Sequence, residues 1–268
     1  MIYKAKKSLG QNFLKSQPAL QMMCSAGEIN SKDIILEIGP GKGALTDKLL
    51  AIAQKVIAIE KDNDLYELLK EKYKDEIKNR KLLLLNDDIL KFNPKNYFLQ
   101  PYSYKIIANI PYNITGAIFK KFLSNEIQPE KMVLLVQKEV AERIVARDGK
   151  ESILSLSVQA YGVPKYMMKV HKRFFSPSPK VDSAIILISN ISRNNFKTKT
   201  SEDKFFEIIK TGFAHKRKVL RKNLESDHVR SEKVNEVFEK LKIDPKARAE
   251  NIKIEKWLLI SKHLSTEI

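Results

Sequence analysis

The sequence predicts an α/β protein: a mostly parallel, doubly wound sheet with one antiparallel edge strand over residues 1–189, then a small all-helical domain over 190–268. Three observations predict it. Short, continuously apolar runs recur through the first half with helix-length segments between them, a glycine-rich loop directly follows the first run, and after Ser189 helical stripes replace the runs. Strands of a parallel sheet are covered on both faces by helices, so they read as unbroken apolar runs rather than as alternating ones.

In chain order, the runs are IILEI (34–38), VIAIE (56–60), LLLLN (82–86), KIIAN (105–109) and MVLLV (132–136). Crossover helices fit between them. Leu65, Leu68, Leu69 and Tyr73, for example, recur at helical spacing. Two further β segments, 166–171 and 184–188, are joined through FFSPSPKVDS with no helix-length insert, which predicts an antiparallel pair closing one sheet edge. The stretch NISRNNFKTKT (190–200) reads as a polar linker. Beyond it Phe205, Ile209 and Phe213 form one helical stripe, and Val234, Val237 and Leu241 another.

Composition narrows the function classes. Among 268 residues, 49 Lys+Arg face 32 Asp+Glu, leaving a net charge of +17, and an apolar content of 43% suffices for a packed core. The single Cys24 excludes an intrachain disulfide. His171, His215, His228 and His263 lie apart from one another and from the cysteine, so no zinc spacing exists and no metal is expected. The N-terminus lacks the ~7–15-residue apolar stretch of a secretory signal, and no segment reaches the ~20 apolar residues of a membrane span. A cytoplasmic protein without a membrane partner is expected, with a monomer as the default. The positive charge favours polyanions, nucleic acids first, although it also fits a solvated lysine-rich surface.

The first run leads into LEIGPGKG (36–43), whose glycines Gly39, Gly41 and Gly43 permit a sharp turn and close approach to a ligand. The spacing is one residue shorter than the dinucleotide fingerprint, which weakens a pyrophosphate reading. Glu60 ends the second run, placed to accept hydrogen bonds from both ribose hydroxyls of an adenosine cofactor. Asp88 follows the third run and is placed for the adenine amine. Alone, these features also describe an ordinary tight βα turn with a surface glutamate. With Glu37 beside the loop, however, they suit a cationic cofactor without phosphates, and S-adenosylmethionine meets that description.

The fourth run ends in ANIPYNITG (108–116). An exocyclic base amine is a poor nucleophile because its lone pair is delocalised into the ring. Acceptors on the Asn109 side chain and the Ile110 carbonyl would take its protons and favour a pyramidal nitrogen; Pro111 would aim that carbonyl, and Tyr112 offers a face for a splayed base. Taken alone, the segment equally reads as a proline turn ending a strand.

KKSLGQNFL (6–14), LEIGPGKGALT, VIAIEKD, LNDDIL, ANIPYNIT, FFSPSPKVDSAI and GFAHKRKVLRKNL occur in the order seen in the rRNA adenine dimethyltransferase family, and the resemblance covers nearly the whole chain. The GQNFL and FSPSPKVDSA segments are its most specific parts. The resemblance implies a Rossmann-like S-adenosylmethionine-dependent methyltransferase sheet and dimethylation of adjacent adenosines in small-subunit rRNA, within the subunit or its precursor. It implies that Asn12 and Leu14 cover the cofactor, Gly39 and Gly41 line its methionine end, Glu60 holds the ribose, Asp88 the adenine amine, and Asn109 the reacting centre. Phe175 would stack on the target base opposite Tyr112; read from its neighbours alone, it packs in the core beside Phe174. Ile110 stands where leucine is frequent and Ser178 replaces a proline, and neither change removes a functional group.

Five cations, Lys216, Arg217, Lys218, Arg221 and Lys222, crowd HKRKVLRK. If this segment continues the helix of Phe213, Lys218 and Lys222 fall opposite the apolar stripe, free for phosphate contact. A solvated basic face is the alternative. In the family this domain engages the ribosomal subunit. Lys4, Lys6, Lys7 and Lys15 are expected around the mouth of the site.

Overall fold

The structure, a computed structural model, describes residues 5–6, 9–225 and 229–264. The elements in order are β1 (Phe13–Leu14), α1 (Gln17–Ala26), β2 (Ile34–Ile38), α2 (Ala44–Ile52), β3 (Lys55–Glu60), α3 (Asn63–Lys72), α4 (Lys74–Lys78), β4 (Leu82–Asn86), β5 (Tyr104–Asn109), α5 (Thr115–Leu123), β6 (Lys131–Gln137), α6 (Lys138–Ile144), α7 (Ile153–Gln159), β7 (Val163–Val170), β8 (Phe175–Ser176), β9 (Ser183–Ser189), α8 (Lys199–Gly212), α9 (Leu220–Leu224), α10 (Ser231–Lys240) and α11 (Ile254–Leu264). They fall into two compact units, Met1–Ala141 with Gly162–Ile191, and Glu142–Tyr161 with Ser192–Ile268.

The first unit is built on a seven-stranded sheet of order β4-β3-β2-β5-β6-β9-β7. β4, β3, β2, β5 and β6 run parallel, and β9 runs against both of its neighbours. The antiparallel pair expected at one end is present. The reversed strand lies one place in from the edge, because β9 returns between β6 and β7, leaving β7 outermost and parallel to the main set. The central strands are apolar because both faces are covered: Ile35, Leu36, Ile106, Ile107, Val133 and Leu134 are fully buried, each contributing roughly 1.5–3 kcal/mol.

Local chemistry sets the helices. The Ser16 side chain accepts the Ala19 N–H to start α1, with a proline in the first turn. Asp62 accepts the N–H groups of Asp64 and Leu65 to start α3. That helix buries Leu65 and Leu69 but leaves Leu68 outward, and Tyr73 closes it in the core. The strand order reverses between β2 and β5, since the chain proceeds outward from β2 in one direction and from β5 in the other. The carboxyl ends of two such strands splay their loops apart and open a crevice.

The second unit is helical, and it includes residues 142–161, which the sequence pattern placed with the sheet. The reason is visible in its core. Tyr161 packs on Phe196 and Phe206, and its hydroxyl donates to the fully buried Glu202 of α8. Arg193 and Lys199 also reach that carboxylate, at 2.6 and 2.9 Å. The stretch 190–200 is therefore docked on this unit through Arg193 and Phe196 rather than acting as a free linker.

The helix of Phe205 and Ile209 stops at Gly212, with Phe213 as its cap residue. HKRKVLRK does not continue it: residues 213–219 turn, and Leu220, Arg221 and Lys222 open the separate short helix α9. Two constraints enforce the break. The Asn223 side chain donates to the carbonyls of Gly212 and His215, at 2.7 and 3.1 Å, groups a continuing helix would bond to its own backbone. Gly212 also lies so close to α11 that a Cβ would stand 2.3 Å from the Trp257 ring and 2.9 Å from Leu220.

Gly212→Ala should therefore overpack this unit at a cost of about 1–3 kcal/mol. Trp257, the sole tryptophan, reports on it directly. Urea unfolding followed by tryptophan fluorescence should show a lower midpoint, and an unchanged midpoint would contradict the packing described.

Candidate functional site

The crevice between the carboxyl ends of β2 and β5 forms a cleft of about 630 Å³, within the range of small-molecule sites. Its walls are Asn12 to Lys15 from the N-terminal segment, the loop after β2, the end of β3, the Asp87 to Leu90 turn and the Asn109 to Ile114 turn. Asn12, Leu14, Gly39, Gly41, Glu60, Asp88, Asn109 and Tyr112 thus meet in one place, although they come from five separate stretches of sequence.

The glycine loop passes Gly39 and Gly41 at φ +64° and +62°. A Cβ on Gly41 would press on the Phe13 ring at 3.0 Å, while one on Gly39 would meet no atom within 4 Å and would project into open cleft. Glu60, 6% exposed, accepts the Gly41 N–H at 3.1 Å and the Asp62 N–H at 2.9 Å. Burial raises its pKa, and backbone hydrogen bonds from Asp62, Gly41 and Lys61 oppose that shift. Each carboxylate oxygen retains a lone pair for a ligand hydroxyl. Asp88 accepts Lys61 Nζ at 2.8 Å and the Leu90 N–H at 2.9 Å, and the Lys61 ammonium holds its carboxyl below the usual range.

Beneath the loop, Glu37 is 1% exposed and receives the Thr46 hydroxyl at 2.7 Å. Burial pushes its carboxyl up to about 8, with the nearby Glu60 and Asp47 charges acting in the same direction. A lining with four carboxyl groups, those of Glu37, Glu60, Asp87 and Asp88, around an uncrowded glycine fits a cationic adenosine better than a pyrophosphate.

At the other end, Asn109 Nδ2 donates to the backbone carbonyl of Asn12 at 3.1 Å. A carbonyl can only accept, so this bond fixes the amide flip and leaves Asn109 Oδ1 as the acceptor for an incoming donor. The Asn12 side chain itself bonds the Gly10 carbonyl, shaping the turn that presents this backbone group. Tyr112 is half-buried, its ring pinned by a 2.6 Å bond between its hydroxyl and Ser183 Oγ. Lys6 bridges Asp62 at 2.9 Å and Asp64 at 2.8 Å, and the Gln11 amide also reaches Asp62, so the N-terminal segment is tied to the head of α3. Lys15 lines the cleft; Lys4 and Lys7 lie outside the described residues.

Phe175 is not brought to the cleft. Its β8 strand pairs with β1, Leu14 opposite Phe175, and the ring is 4% exposed in the core cluster; Ser176 lines the cleft instead. The core-packing alternative describes its position, and the base-stacking placement implied by resemblance does not. Ser183 and Asp62 were not foreseen as site residues. Asp62 carries a local signal as a helix cap, whereas nothing in the sequence links Ser183 to the distant Tyr112.

Of the five basic residues, Lys222 pairs with Glu225 at 2.9 Å and Arg221 bonds Asn235 at 3.1 Å. Lys216, Arg217 and Lys218 are exposed, with no ion pair among the described residues. No group of His, Cys, Asp and Glu among the described residues has a metal-holding arrangement, and His228 lies outside them. No helix among the described residues is long and apolar enough to cross a membrane.

A family model described as ribosomal RNA adenine dimethylase matches residues 2–266. A ribosomal RNA small subunit methyltransferase A from Fusobacterium nucleatum is 38% identical over 264 residues, covering 98% of each chain. One from Dehalococcoides mccartyi is 40% identical over 255 residues, covering 95% of this chain and 86% of that one. Among solved structures, a dimethyladenosine transferase from Plasmodium falciparum superposes with a TM-score of 0.79 at 28% identity, covering 92% of this chain and 95% of the other.

Glu37 generates a pH dependence. A carboxyl raised in the folded state keeps a proton that the unfolded chain has lost, so stability falls as pH climbs from the ordinary carboxylate value, about 4.3. The fall ends once the folded carboxyl titrates, at about 8. Urea midpoints of the intact protein should decline across roughly pH 5 to 8, and Glu37→Gln should flatten that decline and exceed the parent at the upper end. An identical decline in both would show that the slope arises elsewhere.

Proposed function

The chain belongs to the ribosomal RNA adenine dimethylase family, and from that premise we propose that it dimethylates the exocyclic amines of two adjacent adenosines near the 3′ end of small-subunit (16S) rRNA, as a step of small-subunit biogenesis. Its cofactor is S-adenosylmethionine, which supplies an electrophilic methyl group and departs as a thioether. In this reading it acts in the cytoplasm, as a monomer, on the subunit or its precursor.

The observation that carries the reading is the orientation of Asn109. Its Nδ2 is committed to the Asn12 carbonyl, so Oδ1 is left to accept one proton of an adenine amine, with the Ile110 carbonyl positioned by Pro111 for the other. Two acceptors draw the hydrogens out of the ring plane and uncouple the nitrogen lone pair from the base. Tyr112, held by Ser183, stacks on the extruded base and sets its plane. Glu60 receives the ribose hydroxyls, Asp88 the cofactor's adenine amine, and Gly39 and Gly41 leave room for its methionine end, with Asn12 and Leu14 closing over it. No dedicated base is required, because an alkylated amine is acidic enough to release its surplus proton to water.

The helical unit supplies RNA contacts through Lys216, Arg217 and Lys218, with Arg221 and Lys222 contributing less because acceptors within the unit already engage them. These contacts add affinity without sequence information.

Purified protein given labelled cofactor and unmethylated small subunits should produce paired dimethyladenosines, identified by mass spectrometry of the RNA. Asn109→Ala should slow turnover by about 10²–10³, the usual loss for one preorganised polar group. Label in large-subunit RNA alone, or no label, would overturn the proposal. Replacing Lys216, Arg217 and Lys218 together by alanine should weaken RNA binding and reduce the slope of log affinity against log salt by about 2–3. An unchanged slope would remove those residues from the interface.

A further inference from the structure

The segment that carries β8 presents an aromatic–cationic surface that the reading above does not use. Phe175 opens the extended β8 at φ −115° and ψ 156°, directly after a 3-10 turn over Lys172–Phe174. Phe175 points into the core; Ser176 lines the cleft; Phe174 lies on the outward side and is 37% exposed. The Arg173 guanidinium sits over the Phe174 ring at 5.1 Å.

This surface is fixed to the reacting end of the cleft. The Phe174 carbonyl accepts the Lys15 N–H at 2.8 Å, three residues along the same segment whose Asn12 carbonyl holds Asn109. The loop is braced from within: Ser178 Oγ donates to the Lys172 carbonyl at 3.0 Å, Asp182 accepts the Lys172 N–H at 3.0 Å, and Lys169 pairs with the other oxygen of Asp182. His171 stands 3.9 Å from the same carboxylate. That leaves Lys15, Lys172, Arg173 and Lys180 exposed with no ion pair among the described residues, near one partly exposed aromatic ring.

We propose that Phe174 and Arg173 form a platform for the nucleotide next to the reacting adenosine, its base stacked on the ring and its phosphate met by the guanidinium and the adjoining lysines. The inference rests on the reaction proposed above. A base taken out of a stack leaves its neighbour unstacked too, and an aromatic face beside the extrusion site compensates that loss for any base. A guanidinium meets a phosphate with paired donors, which a lysine does not. Because the target lies in a pair of adjacent adenosines, one occupies the cleft while the other rests on the platform.

Steady-state methylation of unmethylated small subunits by Phe174→Leu, Phe174→Tyr and Arg173→Ala tests the platform, with cofactor affinity measured by calorimetry for each. Phe174→Leu should raise KM for the RNA substrate by roughly five- to a hundredfold, the range for one lost stacked base, with kcat within about twofold and cofactor affinity unchanged. Phe174→Tyr should restore KM, and Arg173→Ala should raise it while flattening its salt dependence. A parental KM in Phe174→Leu overturns the platform alone, since the intact protein still methylates. Weakened cofactor binding in that variant shows a merely structural role and overturns it as well. No methylation by the intact protein defeats the underlying reaction, and the platform with it.

Discussion

The Glu60 carboxylate, buried at the end of β3, accepts the Gly41 N–H through one oxygen and the Asp62 N–H through the other, and these bonds set two walls of the cleft at once. Gly41 belongs to the loop that opens α2; Asp62 caps α3 and receives Lys6 and Gln11 from the N-terminal segment. Burying an ionised carboxyl costs several kcal/mol unless its lone pairs are engaged, and the upward push on its pKa is the sign of that cost. Two backbone donors offset part of it. A ligand offering two hydroxyls would offset more, which is why the proposed reading puts the ribose here.

The opposite end of the cleft depends on a chain of equally modest bonds. Asn12 presents its carbonyl to Asn109, Phe13 and Leu14 pair with Ser176 and Phe175, and Lys15 bonds the Phe174 carbonyl. Four consecutive residues therefore connect the amide of Asn109 to the segment Phe174 to Ser176, whose chain continues into β9 and its first residue Ser183, the partner of Tyr112. Each bond is worth about 1 kcal/mol in isolation. Their value lies in orientation: a carbonyl in front of Asn109 excludes the flipped amide, which would turn a donor toward the amine.

The parallel strands were legible because burial on both faces leaves a run of apolar letters, and IILEI, LLLLN and KIIAN coincide with β2, β4 and β5 to within a residue. The glycine loop and Asn109 to Tyr112 were legible because turn chemistry is local. What the sequence hid is long-range. β1 and β8 have two residues each, too few for any periodicity, yet their pairing decides that Phe175 is buried while Phe174 is exposed. Residues 142–161 look like any helical insert until Tyr161 is seen against Glu202. The end of α8 is written in Gly212 and Asn223 together, and neither residue alone breaks a helix.

Two successive methylations of one nitrogen place a particular demand on such a site, because the substrate of the second differs from that of the first in the atom that reacts. The monomethylated amine has a single proton, so of the two acceptors proposed for it, Asn109 Oδ1 and the Ile110 carbonyl, only one would be engaged in the second round. A site that relied on those bonds for binding would lose its grip midway. Stacking on Tyr112 depends on the flat ring and is indifferent to the substituent on its amine, and phosphate contacts are equally blind to it. In the proposed reaction the division is therefore physical: the aromatic ring and the basic residues would hold the RNA through both rounds, while Asn109 would govern reactivity. Tyr112 would meet this demand because its hydroxyl is bonded to Ser183, which holds the ring in place whatever the state of the base upon it.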